Sequence, residues 1–242
     1  MDEYFTRRQP PKPVDYEECY WATIVDPDGN VRDRLKEREK HLEDVQQELA
    51  FLNALPPGRI LDIGCGLGFL LSGLKPEWEA HGVEVSSFAA KHASQWGKIF
   101  VGELQDAGYP DTYFDVVVMY HVIEHIADPA AELVEVRRVL APRGVVALLT
   151  PNAACARLLG RSRWSGFRRS FEHLSYFSRK SLGALLTRAG FDPFFSQTLE
   201  FPAALPLALR EAVGEAEGRV MVQAHPFGGA EAVDLAALIG PE

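Results

Sequence analysis

The sequence predicts an α/β fold: a doubly wound, mostly parallel, seven-stranded sheet with helices on both faces. Short β-branched runs alternate with helical stretches, which is the pattern of repeated strand–helix–strand units. The 242 residues are enough for one core, and 47% hydrophobic against 24% charged residues is an ordinary globular balance. Right-handed crossovers between parallel strands would then place helices on both faces.

The N-terminal part divides into an arm and the start of the domain. Residues 1–31 contain four prolines among polar and aromatic residues, which indicates an irregular arm. Residues 32–242 are expected to form the domain. From Arg32 to Leu55 apolar residues recur at helical spacing, and the two prolines that follow end the pattern, so one amphipathic helix is predicted here.

The strands and helices of the sheet follow. Strands are predicted at 59–64, 79–85, 98–103, 114–120, 144–150, 191–200 and 219–226. Asp128 is expected to cap a helix that begins at Pro129, with a buried stripe of apolar residues. That stripe comprises Leu133, Val136, Val139 and Leu140. The last two strands flank a predicted helix near 203–216, so an antiparallel strand is expected near the C-terminus.

The net charge and the cysteine content indicate which kinds of ligand and partner the protein is expected to lack. The net charge is −9, which disfavours general nucleic-acid binding. The three cysteines are far apart and predict neither a zinc site nor a disulfide framework. No apolar run reaches 18 residues and no signal-like segment follows Arg7 and Arg8, so a cytoplasmic protein without a membrane span is expected. The oligomeric state is not indicated.

A glycine-rich turn follows the first predicted strand, in the segment from Ile60 to Leu71. Glycines at such a turn allow the backbone to approach a ligand closely. Glu84 lies 20 residues after Gly64, as an acid that binds a ribose would in a dinucleotide site. However, Phe69 occupies the third glycine position of the dinucleotide pattern, which favours a cofactor without a pyrophosphate.

DIGCGLG, at 62–68, resembles the first motif of the Rossmann-like (class I) S-adenosylmethionine-dependent methyltransferases. The resemblance covers residues 58–200 and implies S-adenosylmethionine as cofactor, with S-adenosylhomocysteine as product. It implies that Glu84 binds the ribose hydroxyls and Glu103 the adenine amino group. The full implied cofactor set is Asp62, Gly64, Cys65, Gly66, Gly68, Glu84, Val85, Glu103, Leu104, Tyr120 and His121.

Two further segments resemble the branch that contains quinone and small-molecule O-methyltransferases. They are the stretch from Tyr120 to Pro129 and the stretch from Phe171 to Ser178. The resemblance implies methyl transfer to a small-molecule acceptor, with oxygen favoured: a quinone, phenol, sugar or lipid-linked precursor. The alternatives are an NAD-type Rossmann oxidoreductase and a non-catalytic S-adenosylmethionine-binding protein.

Three histidines are candidate general bases, because imidazole titrates near neutral pH. They are His121, His125 and His173. The first two have an equally simple interpretation, in which they close a strand end and satisfy backbone groups.

The spelling HxxEH at 121–125 also matches a zinc peptidase signature. That site needs a sustained helix, whereas a predicted strand precedes it and a new helix begins at Asp128 and Pro129, so we expect no metal site. A dense group of arginines falls in an insertion at about 152–177. It predicts either a solvated surface or a lid over an anionic acceptor.

Overall fold

The computed structural model describes residues 5–6, 18–22, 24–25, 31–153, 172–199 and 219–226. The arginine-rich group of the predicted insertion and the helix predicted near 203–216 lie outside these residues. Within the described part of the chain, no helix is both long and apolar enough to cross a membrane.

Eleven strands occur in the described residues, and seven of them form the central sheet. In chain order the strands are β1 (Phe5–Thr6), β2 (Ile24–Val25), β3 (Val31–Arg32), β4 (Arg59–Ile63), β5 (Glu79–Glu84), β6 (Lys98–Val101), β7 (Phe114–Tyr120), β8 (Leu140–Pro151), β9 (Ser175–Tyr176), β10 (Phe191–Leu199) and β11 (Arg219–Pro226). The sheet order is β10-β11-β8-β7-β4-β5-β6. Strands β4 to β8 pair in parallel, whereas β11 runs antiparallel to β8 and β10. The predicted α/β architecture around a parallel sheet is confirmed.

Helices lie between these strands. They are α1 (Glu18–Ala22), α2 (Arg38–Asp44), α3 (Gln46–Ala54), α4 (Phe69–Ser72), α5 (Ser87–Ala93), α6 (Pro129–Val139) and α7 (Arg179–Arg188). The described residues also form three short 3-10 turns, at Arg34–Lys36, Leu104–Asp106 and Ile123–His125.

The strands bury both of their faces. Successive residues of one strand, such as Val117 and Val118 in β7, belong to two separate apolar clusters. The cluster that contains Val117 also takes residues from α6 and α7, whereas the one that contains Val118 takes Leu49 and Leu52 of α3. Since side chains alternate along a strand, the two clusters lie on opposite faces of the sheet, and the molecule has three layers.

Helix α6 begins as predicted. The Asp128 carboxylate accepts hydrogen bonds from the backbone N–H groups of Ala130 and Ala131, at 3.2 and 3.1 Å, and Pro129 occupies the first turn. The helix ends one residue earlier than its predicted stripe. Leu140 has extended dihedral angles and pairs with Phe114, so it opens β8 instead.

The single helix predicted from Arg32 to Leu55 is wrong. Arg32 belongs to β3, and the chain then forms the first 3-10 turn before α2 begins at Arg38. At Val45 the backbone departs from helical angles (φ −117°, ψ 22°), which separates α2 from α3. The break lets Val45 itself join the buried cluster beneath α3, a tertiary contact that spacing along the chain does not reveal.

The N-terminal arm contains more regular structure than predicted. Strand β1 pairs with β9, β2 pairs with β3, and α1 lies between them along the chain. Pairing between residues about 170 positions apart fixes the arm through long-range contacts, which proline content does not predict.

Candidate active site

The loop between β4 and α4 lies at the carboxyl edge of the parallel sheet. Gly64, Gly66 and Gly68 all have positive φ angles, of 67°, 52° and 75°. The N–H groups of Gly64 and Cys65 both donate to the Val83 carbonyl oxygen, which ties this loop to β5. A methyl group at Gly66 would lie 2.8 Å from the Trp21 ring, so only a glycine leaves room there.

Glu84, at the end of β5, is bound to the same loop. Its Oε2 accepts from the Gly66 N–H at 2.8 Å, and its Oε1 accepts from the Ser86 N–H at 2.8 Å. The residue is 5% exposed. Two charge-assisted hydrogen bonds favour the ionised carboxylate. Each carboxylate oxygen has two lone pairs and can accept more than one hydrogen bond.

Asp62, the penultimate residue of β4, lies close to Glu84. Burial, followed by the negative charge of Glu84, raises the pKa of Asp62 to about 8. Glu84 retains its charge because backbone N–H groups donate to it, so Asp62 is the carboxyl group that takes up a proton near neutral pH. A cationic ligand group placed next to Asp62 would reverse that effect.

Two cavities open along this edge. The first has a volume of about 550 Å³ and reaches from Glu84 past Val85, Glu103 and Leu104 to Asp128 and Glu132. The second has a volume of about 420 Å³ and lies beside α2 and the glycine-rich loop. Both are lined by the same five residues where they meet: Tyr20, Trp21, Gly64, His121 and His125. One elongated ligand would therefore pass from one cavity to the other across Gly64.

Helix α1 covers this junction with two aromatic rings. Tyr20 and Trp21 pack edge to face, with ring centroids 5.0 Å apart. The Arg34 guanidinium lies 4.3 Å from the Tyr20 ring centroid. Cation–π contact of this kind attaches α1 to the first 3-10 turn, so that the arm forms a wall of both cavities.

His121 follows β7 in a strained conformation. Its φ of 59° is rare for a residue with a side chain, and such strain concentrates at functional sites. The His121 N–H donates to the Leu149 carbonyl oxygen at 2.7 Å, which fixes the backbone against β8. Its side chain is 42% exposed and lines both cavities.

Glu124 is buried directly behind His121. Its Oε1 lies 3.4 Å from His121 Nδ1 and 3.9 Å from His173 Nε2, and its Oε2 accepts from the Thr150 hydroxyl at 2.9 Å. Burial alone would raise the pKa of Glu124, but the neighbouring imidazoles of His121, His125 and His173 outweigh burial and lower it. The carboxylate is therefore held charged in the interior.

The remaining two histidines face each other. The rings of His125 and His173 are 4.8 Å apart and nearly perpendicular. His125 lines both cavities, whereas His173 is 6% exposed and lines neither. The site is thus a half-exposed histidine, His121, backed by the buried Glu124 carboxylate, the buried His173 and the partly exposed His125.

A family model described as a methyltransferase domain matches residues 34–194, which is more than half of the chain. This chain belongs to the methyltransferase-domain family. Curated relatives include an uncharacterized methyltransferase of Schizosaccharomyces pombe, 34% identical over 36% of this chain and 38% of its own length. A ubiquinone biosynthesis O-methyltransferase of Alkalilimnicola ehrlichii is 34% identical over 42% of this chain and 44% of its own length. The matches span less than half the length of these relatives.

Solved structures share the fold. A putative methyltransferase, solved in complex with the Haloferax volcanii Trm112 methyltransferase activator, superposes with a TM-score of 0.63 at 18% identity and covers 79% of this chain and 95% of its own. An S-adenosylmethionine-dependent methyltransferase from Archaeoglobus fulgidus gives 0.61 at 18% identity, over 78% of this chain and 94% of its own. At this level of identity the likeness establishes the Rossmann-like fold of methyltransferases.

The structure brings most of the predicted cofactor residues to the walls of the two cavities. Gly68 is an exception, since it lines neither. A methyl group there would lie 2.8 Å from Ala93, so Gly68 instead lets the start of α4 pack against α5. Residues that sequence reasoning did not place in the site include Glu124, Thr150 and Gln105. Glu124 belongs to the HxxEH segment, yet only the fold shows that three imidazoles surround it.

The HxxEH segment does not form the helix that a zinc peptidase requires. His121 has a positive φ, and Ile123–His125 is a 3-10 turn between a strand and α6. His121 and His125 therefore do not share a helical face, which agrees with the argument made from the sequence.

Proposed function

We propose that this chain binds S-adenosylmethionine across the two joined cavities and transfers its methyl group to the oxygen of a small molecule. The observation that carries the proposal is the pairing of Glu84 with the glycine-rich loop. The buried Glu84 carboxylate accepts a hydrogen bond from the Gly66 N–H. A Cβ on Gly66 would fill the space beside this contact. Family membership supplies the reaction class.

The residues present fit the cofactor along its whole length. Glu103 and the Leu104 N–H would receive the adenine in the first cavity, and Glu84 would accept from the ribose hydroxyls. The methionine part would cross Gly64 into the second cavity, where Asp62 faces its cationic amino group. When bound, S-adenosylmethionine supplies a methyl carbon activated by the sulfonium charge.

His121 is the proposed general base among the three candidate histidines. It lines both cavities at their junction and is the most exposed of the three, while Glu124 behind it stabilises a protonated imidazole. Proton removal by such a base contributes about 10²–10⁴-fold for a hydroxyl acceptor. Tyr20 and Trp21 exclude water from above the junction, and positioning of the two reactants supplies most of the remaining rate enhancement.

The acceptor is proposed to be a hydroxyl-bearing molecule such as a quinol, phenol or sugar. Relatives of this chain include the ubiquinone biosynthesis O-methyltransferase and a 2-methyl-6-phytyl-1,4-hydroquinone methyltransferase of Synechocystis, 29% identical over 47% of this chain. These names support a phenolic class, and a base adjoining the junction suits an oxygen that must lose its proton.

Calorimetry with S-adenosylhomocysteine tests the cofactor assignment. We expect one binding site, and we expect Glu84→Gln to weaken binding at least tenfold, because loss of one charge-assisted hydrogen bond costs about 1.5–3 kcal/mol. The matched control is Glu77→Gln. Glu77 is an exposed glutamate in the loop before β5, and the variant should bind S-adenosylhomocysteine as the unaltered protein does.

Three results would contradict the proposal. NAD binding without S-adenosylhomocysteine binding would favour the oxidoreductase alternative. Unchanged affinity in Glu84→Gln would show that the ribose lies elsewhere. Tight binding with no methyl transfer to any phenol, quinol or sugar in a radiolabelled panel would favour a non-catalytic binding protein.

A further inference from the structure

The cluster behind His121 contains a buried polar atom, His125 Nδ1, that the proposed methyl transfer does not use. Among the described residues, Glu124 Oε1 and His125 Nδ1 are buried and have no hydrogen-bond partner. Leaving a buried polar atom without a partner is costly. A carboxylate oxygen is an acceptor, and so is the Nδ1 of a neutral imidazole whose proton is on Nε2. Some group that accepts electron pairs is therefore expected between them.

We infer that Glu124, His125 and His173 form a binding site for a divalent first-row transition-metal ion. One potential ligand atom of each residue lies within 4.8 Å of the other two. Two imidazoles and one carboxylate are a donor set that suits Zn²⁺, Mn²⁺, Fe²⁺ or Co²⁺. This inference revises the expectation from the sequence, which was of no metal site.

The three donor atoms lie near one another but are farther apart than around a bound ion. Ligand bonds of about 2.1 Å in a tetrahedral site put the donor atoms about 3.4 Å apart. Glu124 Oε1 and His173 Nε2 are 3.9 Å apart, so small side-chain rotations would bring them to that spacing. The backbone is already fixed, because the Leu174 N–H donates to the Glu124 carbonyl oxygen at 2.8 Å and thereby joins the two segments that carry the ligands.

Outer contacts hold the ligands as they do in established metal sites. The Thr150 hydroxyl donates to Glu124 Oε2, which orients the carboxylate and leaves Oε1 directed at the imidazoles. Glu172 Oε2 lies 4.0 Å from His125 Nδ1 and adds a second negative charge beside the site. With three protein ligands, an ion keeps open positions for water or for an oxygen of a ligand in the adjoining cavity.

The competing explanation is an ion-pair network in which protonated imidazoles surround Glu124. It accounts for the charge of the cluster but leaves His125 Nδ1 without an acceptor at hydrogen-bonding distance. The two explanations predict different metal uptake, because a network of ion pairs binds no metal ion.

Titration of the full chain with Co²⁺, after removal of metals by EDTA, tests the site. We expect one Co²⁺ per chain, with visible absorption bands typical of four or five ligands, and displacement by one equivalent of Zn²⁺. His125→Ala, His173→Ala and Glu124→Gln should each weaken Co²⁺ binding at least tenfold. His92→Ala, on α5 and outside the cluster, should bind Co²⁺ as the unaltered protein does.

Absence of Co²⁺ binding at 100-fold excess, or unchanged binding in all three ligand variants, would overturn the inference. Circular dichroism and urea unfolding identify any variant that fails to fold, and His173→Gln replaces His173→Ala in that case. Because the readout is metal uptake, the result is independent of whether methyl transfer is observed.

Discussion

At the scale of single residues, the site depends on positions where backbone conformation and ligand approach coincide. Gly66 has a positive φ, donates its N–H to Glu84 and lies under the Trp21 ring. His121 accepts a similar strain without being a glycine, because its N–H is bound to Leu149 and its side chain is needed at the junction of the cavities. Sequence reasoning identified both residues from a motif.

Replacing Gly66 with alanine should destabilise the folded protein, whereas the same replacement at a glycine within a helix should not. We expect Gly66→Ala to lower the free energy of unfolding by about 1–2 kcal/mol, because a positive φ strains any residue with a Cβ. Its methyl group would also displace Trp21. Urea denaturation followed by circular dichroism measures the effect.

Gly183→Ala is the matched comparison. Gly183 lies within α7 and has open space where a Cβ would project. There the change should raise the free energy of unfolding by about 0.5–1 kcal/mol, since alanine loses less backbone entropy on folding. Equal stability of the two variants would show that the loop at Gly66 is not strained.

At the scale of elements, adjacent residues predicted the start of α6, whereas contacts with other elements decided where helices end or break. Asp128 and Pro129 specify the start of α6 through capping, which involves adjacent residues. The end of α6 and the break at Val45 follow from contacts with other elements: Leu140 pairs with Phe114, and Val45 joins a buried cluster. Such contacts are absent from any local window of sequence.

Removal of the cap should destabilise α6 measurably. We expect Asp128→Ala to lower the free energy of unfolding by about 1 kcal/mol, because two backbone N–H groups lose their acceptor. Asp128→Asn keeps a side-chain acceptor and should recover most of this loss. Equilibrium urea unfolding of both variants checks the prediction, which fails if alanine and asparagine are equivalent.

At the scale of the whole molecule, the parallel sheet gathers the site from distant parts of the chain. The carboxyl ends of β4, β5 and β7 bring Asp62, Glu84 and His121 to one edge. That arrangement buries the carboxyl groups of Asp62 and Glu84 close together, which destabilises the folded state when both are charged.

Stability should therefore depend on pH through Asp62. Its pKa is raised from 3.8 to about 8 on folding. The folded state then binds this proton more tightly, so the associated stability is fully present below about pH 4 and is lost as pH rises toward about 8. Asp62→Asn removes the titrating group. We expect its stability relative to the unaltered protein to increase by about 1 kcal/mol or more between pH 5 and pH 8.

Urea unfolding at the two pH values measures this difference. Asp192→Asn, at an exposed position of β10, is the control and should show no such trend. If the free energies of unfolding of Asp62→Asn and of the unaltered protein change in parallel between the two pH values, Asp62 is ionised throughout.

The sequence by itself determined the α/β alternation, the glycine-rich turn and the acids that follow neighbouring strands, because each depends on residues close together along the chain. Only the tertiary structure decided which of those residues meet. It split the predicted helix at Val45, assigned Gly68 to packing, and surrounded Glu124 with imidazoles from two separate segments. These outcomes depend on the pairing of distant segments and on the cost of burying charge, and neither is encoded in local spacing.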